Sequence, residues 1–231
     1  MTENKKENLN NRMIKFLFEA APVRGACVQM AEEWQEMIKF HHYPENVAAL
    51  LGQFTAGALL LSSTIKFEGS LILQVKGSGP IAFIYAEVRN PMSVRAMAEI
   101  REGAEIKPEM DLQELINKDG KGLCALILDP KDRRPGVQPY QGMVSLESNS
   151  VAENLENYMA KSEQLETKLY LAADCKKLGG LVIQKMPSVG GNVSEISDPD
   201  AWGRIMQLAH TVTKEELLNV PATDVLHRLF W

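Results

Sequence analysis

The chain has 231 residues, a formal net charge of −5, 45% hydrophobic residues and 24% charged residues. These values are typical of an ordinary globular protein with one large domain or two small ones. The acidic balance argues against a nucleic-acid-binding protein, which would need a basic patch, and no run of about 18 apolar residues indicates a membrane span.

The first eleven residues are polar, with Lys5, Lys6 and Glu7 and no apolar segment. We expect a flexible tail over residues 1–11 and no secretory signal. The three cysteines are far apart in the sequence, at Cys27, Cys124 and Cys175, and match no zinc or redox-pair spacing. An odd cysteine count without a signal favours the reducing cytosol, so we predict a cytoplasmic protein.

The first third of the chain predicts two extended segments followed by two helices. Residues 13–19 and 23–30 read as strands joined at a turn. One helix follows from about residue 31, and Pro44 is placed to begin a second one that runs to about residue 63. This second helix is apolar nearly all round, which predicts that it is buried. Its small-residue stripe, Ala48, Gly52 and Ala56, would let another backbone approach closely.

The middle of the chain predicts mainly strands. Short apolar or alternating runs separated by Gly, Pro and Asn predict strands over residues 70–76, 81–88, 93–100, 122–128 and 138–146. Asp111 is a candidate cap for a short helix, and Ser150 for an amphipathic helix over residues 150–164. Residues 167–173 and 180–186 then form a hairpin-like pair.

The end of the chain predicts a linker and a helical piece. Residues 188–197, SVGGNVSEIS, have the composition of a linker or hinge. Helical spacing follows, with Trp202 and Ile205 on one face and Asp224 as a candidate cap for the last turn. The predicted fold class is therefore α+β. A mixed core of antiparallel strands packed with helices spans residues 12–187, and a small helical segment spans 198–231.

The sequence offers no catalytic, cofactor-binding or metal-binding set. The segment 77–80, GSGP, lies between two predicted strands and lacks the GK[ST] ending of a phosphate loop. No serine has a GxSxG context, and the adjacent His41 and His42 cannot chelate one metal from a single helix face. We therefore predict no zinc or nucleotide binding by this chain.

Two residues nevertheless invite a functional interpretation. Cys175 precedes Lys176 and Lys177, whose charges favour the thiolate, although Asp174 opposes it. It is a candidate reactive thiol, with an incidental surface thiol as the alternative. Glu163 lies at the end of the amphipathic helix, where a network that satisfies the helix end is the alternative to a catalytic role.

Several short motifs follow one another in a fixed order along the chain. They are VRG at 23–25, KFEG at 66–69, GSGP at 77–80, VRA at 94–96, YQG at 140–142, SEQL at 162–165, GGL at 179–181 and EELL at 215–218. This ordered set resembles the redox-regulated bacterial heat shock protein 33 family. The resemblance covers nearly the whole chain beyond residue 11.

The resemblance implies an ATP-independent holdase chaperone, which binds unfolding proteins through exposed apolar surface and prevents their aggregation. In the family, a CxC…CxxC module follows the stretch that ends this chain. It holds zinc and forms disulfides on oxidation, and with the linker before it covers the client surface. Because the sequence stops at Trp231, we expect a truncated piece of a longer protein that is active without oxidation. A homodimer with exchanged C-terminal helices is also implied.

The candidate client-binding residues come from the apolar strands of the predicted core. They are Leu71, Leu73, Val75, Leu181 and Ile183. Two other hypotheses remain open from the sequence. One is a small-molecule enzyme of α+β fold with a site near Glu163 and Arg24. The other is an inert scaffold that has lost part of its client-binding surface.

Overall fold

The computed structural model describes residues 12–19, 21–65, 67–89, 93–132, 138–186, 198 and 200–231. The predicted N-terminal tail (1–11) and the predicted linker (188–197) lie outside these described residues. Their boundaries therefore stay predictions.

Nine strands and seven helices occur within the described residues. The strands are β1 (Arg12–Leu17), β2 (Val23–Met30), β3 (Gly69–Lys76), β4 (Ile81–Arg89), β5 (Ser93–Ile100), β6 (Leu123–Pro130), β7 (Tyr140–Ser145), β8 (Thr167–Ala173) and β9 (Leu178–Lys185). The helices are α1 (Glu32–Ile38), α2 (Glu45–Thr64), α3 (Leu112–Ile116), α4 (Val151–Ser162), α5 (Ala201–Ala209), α6 (Lys214–Asn219) and α7 (Ala222–Phe230).

The strands form two antiparallel sheets, which confirms the predicted α+β class. The four-stranded sheet has the order β1-β2-β9-β8, and the five-stranded sheet has the order β5-β4-β3-β6-β7. Each predicted strand and helix lies within a few residues of its expected bounds. The alternation of apolar and polar residues, with turn residues at the strand ends, was therefore sufficient to predict the positions of the strands.

Helix α2 lies between the two sheets and packs against both of them. It is buried on all sides, as its apolar composition predicted. A Cβ added at Gly52 would lie 2.4 Å from the Cβ of Ala173, so this position accepts only glycine at the contact with β8. By length and composition α2 would also qualify as a membrane span, but 78% of its most apolar window is buried inside the protein.

Side-chain caps fix the starts of two other helices. The Asp111 carboxylate accepts a bond from the Glu114 amide (2.9 Å), and the Glu114 carboxylate accepts one from the Asp111 amide (3.0 Å), a complete capping box on α3. Ser150 caps α4 through the Glu153 amide. The expectation for Asp224 was wrong, because α7 begins after Pro221 and Asp224 lies within its first turn.

The C-terminal helices α5–α7 pack on the outer face of the four-stranded sheet and form a second apolar cluster with it. Its buried members are Ala21, Val23, Cys27, Ala172, Leu181, Ile183, Ala201, Ile205, Ala209, Leu217, Ala222, Val225, Leu226 and Leu229. Trp202 is only half-buried. Strand β9 is consequently covered on both faces, by α2 on one side and by α5–α7 on the other.

Candidate functional site

Three of the predicted client-binding residues lie on the inner face of the five-stranded sheet. Leu71, Leu73 and Val75 pack against the α2 layer, with exposed fractions of 3%, 0% and 0%. They are not exposed in the folded protein, which corrects the expectation of an open apolar strand there. The physical reason is that folding buries the more apolar face of an alternating strand in the core.

The other two predicted residues lie beneath the C-terminal helices. Leu181 and Ile183 point from β9 into the cluster formed with α5–α7, and both have an exposed fraction of 0%. They are therefore also buried, not exposed as expected. Unlike the first three, they would become accessible if α5–α7 moved away from the sheet. We call this outer face of the four-stranded sheet the covered face.

The buried side chain of Gln29 bonds the bend between α6 and α7 to the covered face. The Gln29 Nε2 atom donates to the carbonyl oxygens of Leu217 (2.9 Å) and Val220 (2.7 Å). Its Oε1 atom accepts a bond from the amide of Ala222 (2.9 Å). These groups belong to the end of α6 and the start of α7, which lack partners within their helices. Gln29 therefore fixes the position of the α6–α7 bend over β2.

The outer face of the five-stranded sheet carries apolar side chains that remain accessible. The helices α2 and α4 pack on its opposite face, and Met143, Leu123 and Met97 have exposed fractions of 60%, 44% and 41%. The register places Met97, Tyr85, Gln74, Ala125 and Met143 in one row across all five strands. We call this surface the open face. Further apolar members are Ile72, Phe83 and Ile127.

The sequence interpretation missed the open face because its residues alternate with the core residues. Met143 and Leu123 share their strands with the buried Val144 and Cys124, so the apolar pattern drew attention to the other side. The signal that would have found the open face is the presence of Phe, Met and Leu at the nominally outward positions of several neighbouring strands.

A charged network borders the open face. The Glu87 carboxylate accepts bonds from Arg89 Nε (2.6 Å) and from the Tyr85 hydroxyl (3.0 Å), and Glu87 is only 4% exposed. Burial raises the pKa of Glu87, but the bonds from Arg89, Ser70 and Tyr85 outweigh it, so the net pKa is lowered. Glu87 therefore stays ionised and forms a fixed charged rim with the exposed guanidinium of Arg89.

The residues considered for an enzyme site belong to two separate structural networks. Glu163 Oε1 accepts bonds from the hydroxyls of Tyr158 (2.9 Å) and Tyr140 (3.1 Å), which ties the end of α4 to β7. Arg24 Nε donates to Gln184 Oε1 (3.0 Å), and Gln184 Nε2 donates in turn to Thr167 Oγ1 (2.8 Å). This geometry favours the interpretation of Glu163 as part of a network that satisfies the helix end.

The three thiols lie in different parts of the fold. Burial raises the pKa of Cys27 and of Cys124 to about 12. At the exposed Cys175, partial burial and the carboxylates of Glu45 and Asp174 raise the pKa, and Lys176 only partly offsets them. The expected activation of Cys175 by its lysines is therefore outweighed. Within the described residues, no group of three or more His, Cys, Asp or Glu side chains is placed to hold a metal ion.

Thiol titration checks these environments. We expect the native protein at pH 7 to react with a disulfide reagent at Cys175 only, and more slowly than a free cysteine does, because the raised pKa lowers the thiolate fraction. The rate should increase as the pH rises. In denaturant all three thiols should react at once. Rapid native reaction of Cys27 or Cys124 would contradict the described packing.

Comparisons with known proteins agree with this fold. The family model described as Hsp33 protein matches residues 11–231. The 33 kDa chaperonin of Methylobacillus flagellatus is 38% identical over 223 residues, which are 96% of this chain and 72% of that protein. The 33 kDa chaperonin of Neisseria gonorrhoeae is 40% identical over 216 residues, which are 94% of this chain and 68% of that protein.

A solved structure shows the same architecture. The crystal structure of the 33 kDa chaperonin (heat shock protein 33 homolog) of Thermotoga maritima superposes with a TM-score of 0.72 at 20% identity. The superposition covers 94% of this chain and 74% of the Thermotoga maritima chain. The match of the family model to nearly all of the sequence, together with relatives of this similarity, shows that the chain belongs to the Hsp33 chaperone family.

Proposed function

We propose that this protein is an ATP-independent holdase that binds unfolding proteins at the open face and prevents their aggregation. The observation that carries the proposal is the exposure of Met143, Leu123 and Met97 on one sheet face beside a charged rim. Membership of a chaperone family supports the same function. The partners are unfolded or partly unfolded proteins, without nucleic acid or membrane, in the cytoplasm.

The chemistry of the open face suits a weak and tolerant binding surface. Full burial of one Leu or Met side chain by a client contributes about 1.5–3 kcal/mol, so a few such contacts give useful affinity without shape selection. Methionine adapts to differently shaped apolar partners, and two of the three exposed large apolar side chains named for this face, Met143 and Met97, are methionines. The exposed guanidinium of Arg89 at the border of the open face would favour the solubility of the loaded complex.

The covered face is a second surface that the same function would use. Movement of α5–α7 away from the sheet would expose Leu181 and Ile183, two of the residues predicted from the sequence. A homodimer with exchanged helices would make the same contacts between chains, with α5–α7 of one protomer on the sheet of its partner. No cofactor is proposed for this chain. Zinc is proposed only for family members that carry the cysteine module.

Light scattering by a thermally unfolding client tests the proposal. We expect suppression of aggregation without ATP, equally in dithiothreitol and after peroxide, because the described thiols form no pair that could gate the surface. Leu123→Lys should weaken the suppression by placing a charge on the open face. Leu208→Lys is the matched control, since Leu208 is equally exposed (47%, against 44% for Leu123) but lies on α5.

Each other result has a definite meaning. Activity that appears only after peroxide would show that the remaining cysteines form a switch. No activity under any condition would favour the inert scaffold. Equal effects of Leu123→Lys and Leu208→Lys would remove the open face from the proposal. The enzyme hypothesis is less well supported, because Glu163 and Arg24 are each engaged in their own network.

A further inference from the structure

The two sheets have four edge strands, and their edges differ in how they are protected. An unprotected edge presents free N–H and C=O groups, to which another extended chain can pair. Charged side chains or a covering group normally prevent this pairing. The edges of this protein are β1 and β8 in the four-stranded sheet and β5 and β7 in the five-stranded sheet.

Side chains protect three of these edges. On β8, the Leu169 amide donates to the Glu156 carboxylate (2.8 Å), which also pairs with Lys168 (2.6 Å). On β5, the Tyr43 hydroxyl donates to the Ala98 carbonyl (2.9 Å) and accepts from the Ala98 amide (3.0 Å), so it takes the place of a neighbouring strand. The third edge, β1, carries two charged residues, Arg12 and Lys15.

The fourth edge, β7, receives no such protection from the residues that the structure describes. Its sequence, YQGMVS, contains no charged residue. The Leu146 amide donates to the Gly122 carbonyl (3.0 Å), directly after the last residue pair of β7 with β6. In an antiparallel pair the bonded residues alternate, so Val144, Gly142 and Tyr140 direct their backbone groups to β6. The backbone groups of Gln141 and Met143 therefore point outward, and no described residue bonds to them.

We propose that the β7 edge binds an extended polypeptide segment by strand addition. The inference rests on the proposed function, because an unfolding client is a source of extended segments with free backbone groups. The outward N–H and C=O groups of Gln141 and Met143 would pair with the client backbone. Alternate client side chains would then lie beside Met143 and extend the open face. A segment with alternating apolar residues and no central charge fits this edge.

Peptide binding tests the proposal directly. The probe is a fluorescent peptide in which valine alternates with threonine, with lysine at each end for solubility, and the measurement is fluorescence anisotropy. We expect the wild-type protein to bind this peptide and to bind a fully N-methylated version about tenfold or more weakly, because the methyl groups remove the backbone donors. Equal binding of the two peptides would overturn the proposal, and this comparison needs no variant.

A proline variant tests the edge from the protein side. Met143→Pro removes one outward N–H and leaves the bonds between β7 and β6 in place. We expect it to bind the peptide about tenfold or more weakly than the matched control Met143→Val, which keeps the N–H. Circular dichroism checks that both variants are folded. Equal binding by folded Met143→Pro and Met143→Val would contradict strand addition.

Three further results distinguish strand addition from dimerisation at the same edge and from the holdase function. If sedimentation shows that Met143→Pro converts a dimer into monomers, the occupant of the β7 edge is a second copy of the chain and the proposal is wrong. If the wild type fails to protect a client but binds the peptide in an edge-dependent way, the holdase function fails and the strand-addition site stands. If Met143→Pro protects a client and binds the peptide like the wild type, the strand-addition site is wrong and the holdase function stands.

Discussion

Replacement of Trp34 by alanine is expected to lower the free energy of unfolding by about 3–5 kcal/mol. The indole is fully buried in the main core and lies against α2, where a Cβ on Gly52 would come 3.2 Å from its Cζ2 atom. Its Nε1 atom donates to the Asp174 carbonyl (2.8 Å) in the β8–β9 turn. The substitution therefore leaves a cavity and an unpaired carbonyl at the same point.

Urea denaturation measures this effect, and Trp231→Ala is the matched control. The Trp231 side chain is 69% exposed, and its ring contacts the rings of Phe16 and Phe230, so its loss should cost less than about 1 kcal/mol. Similar losses for the two tryptophans would contradict the described core. Loss of stability at Trp34 should also release the β8–β9 turn, which increased alkylation of Cys175 would report.

The fold was predictable because its signals are local. The all-round apolar character of α2, the alternation in the strands and the caps at Asp111 and Ser150 each depend on residues within one or two turns. Core burial then follows from the hydrophobic effect without knowledge of partners. The same local signals predicted the C-terminal helices α5–α7, whose apolar faces pack on the outer face of the four-stranded sheet.

The candidate surfaces were harder to predict, because they depend on partners that are distant in the sequence. Leu73 and Met143 are both apolar strand residues, and only the sheet order places the first in the core and the second in solvent. The charge environment of Cys175 includes Glu45, which another element brings near it. The bond of Tyr43 to Ala98 protects one sheet edge across a separation of 55 residues. The interacting residues in these examples are too far apart in the sequence for any short stretch to contain both.

Replacement of Gln29 by leucine should loosen the docking of α5–α7 on the covered face. Leucine is similar in size, but it leaves the carbonyls of Leu217 and Val220 and the amide of Ala222 without partners in a buried site. Each unsatisfied group costs about 1–3 kcal/mol, so we expect docking of the helices to weaken by about 3 kcal/mol or more. Limited proteolysis near residues 187–200 and binding of a hydrophobic dye measure the release.

Gln35→Leu is the control for this change, because the exposed Gln35 side chain donates from Nε2 to the Lys176 carbonyl (3.1 Å). Solvent can replace that bond, so proteolysis and dye binding should stay at the wild-type level. If release of α5–α7 uncovers a client surface at Leu181 and Ile183, Gln29→Leu should also suppress aggregation at a lower protein concentration than the wild type. Unchanged suppression despite clear release would confine client binding to the open face and the β7 edge.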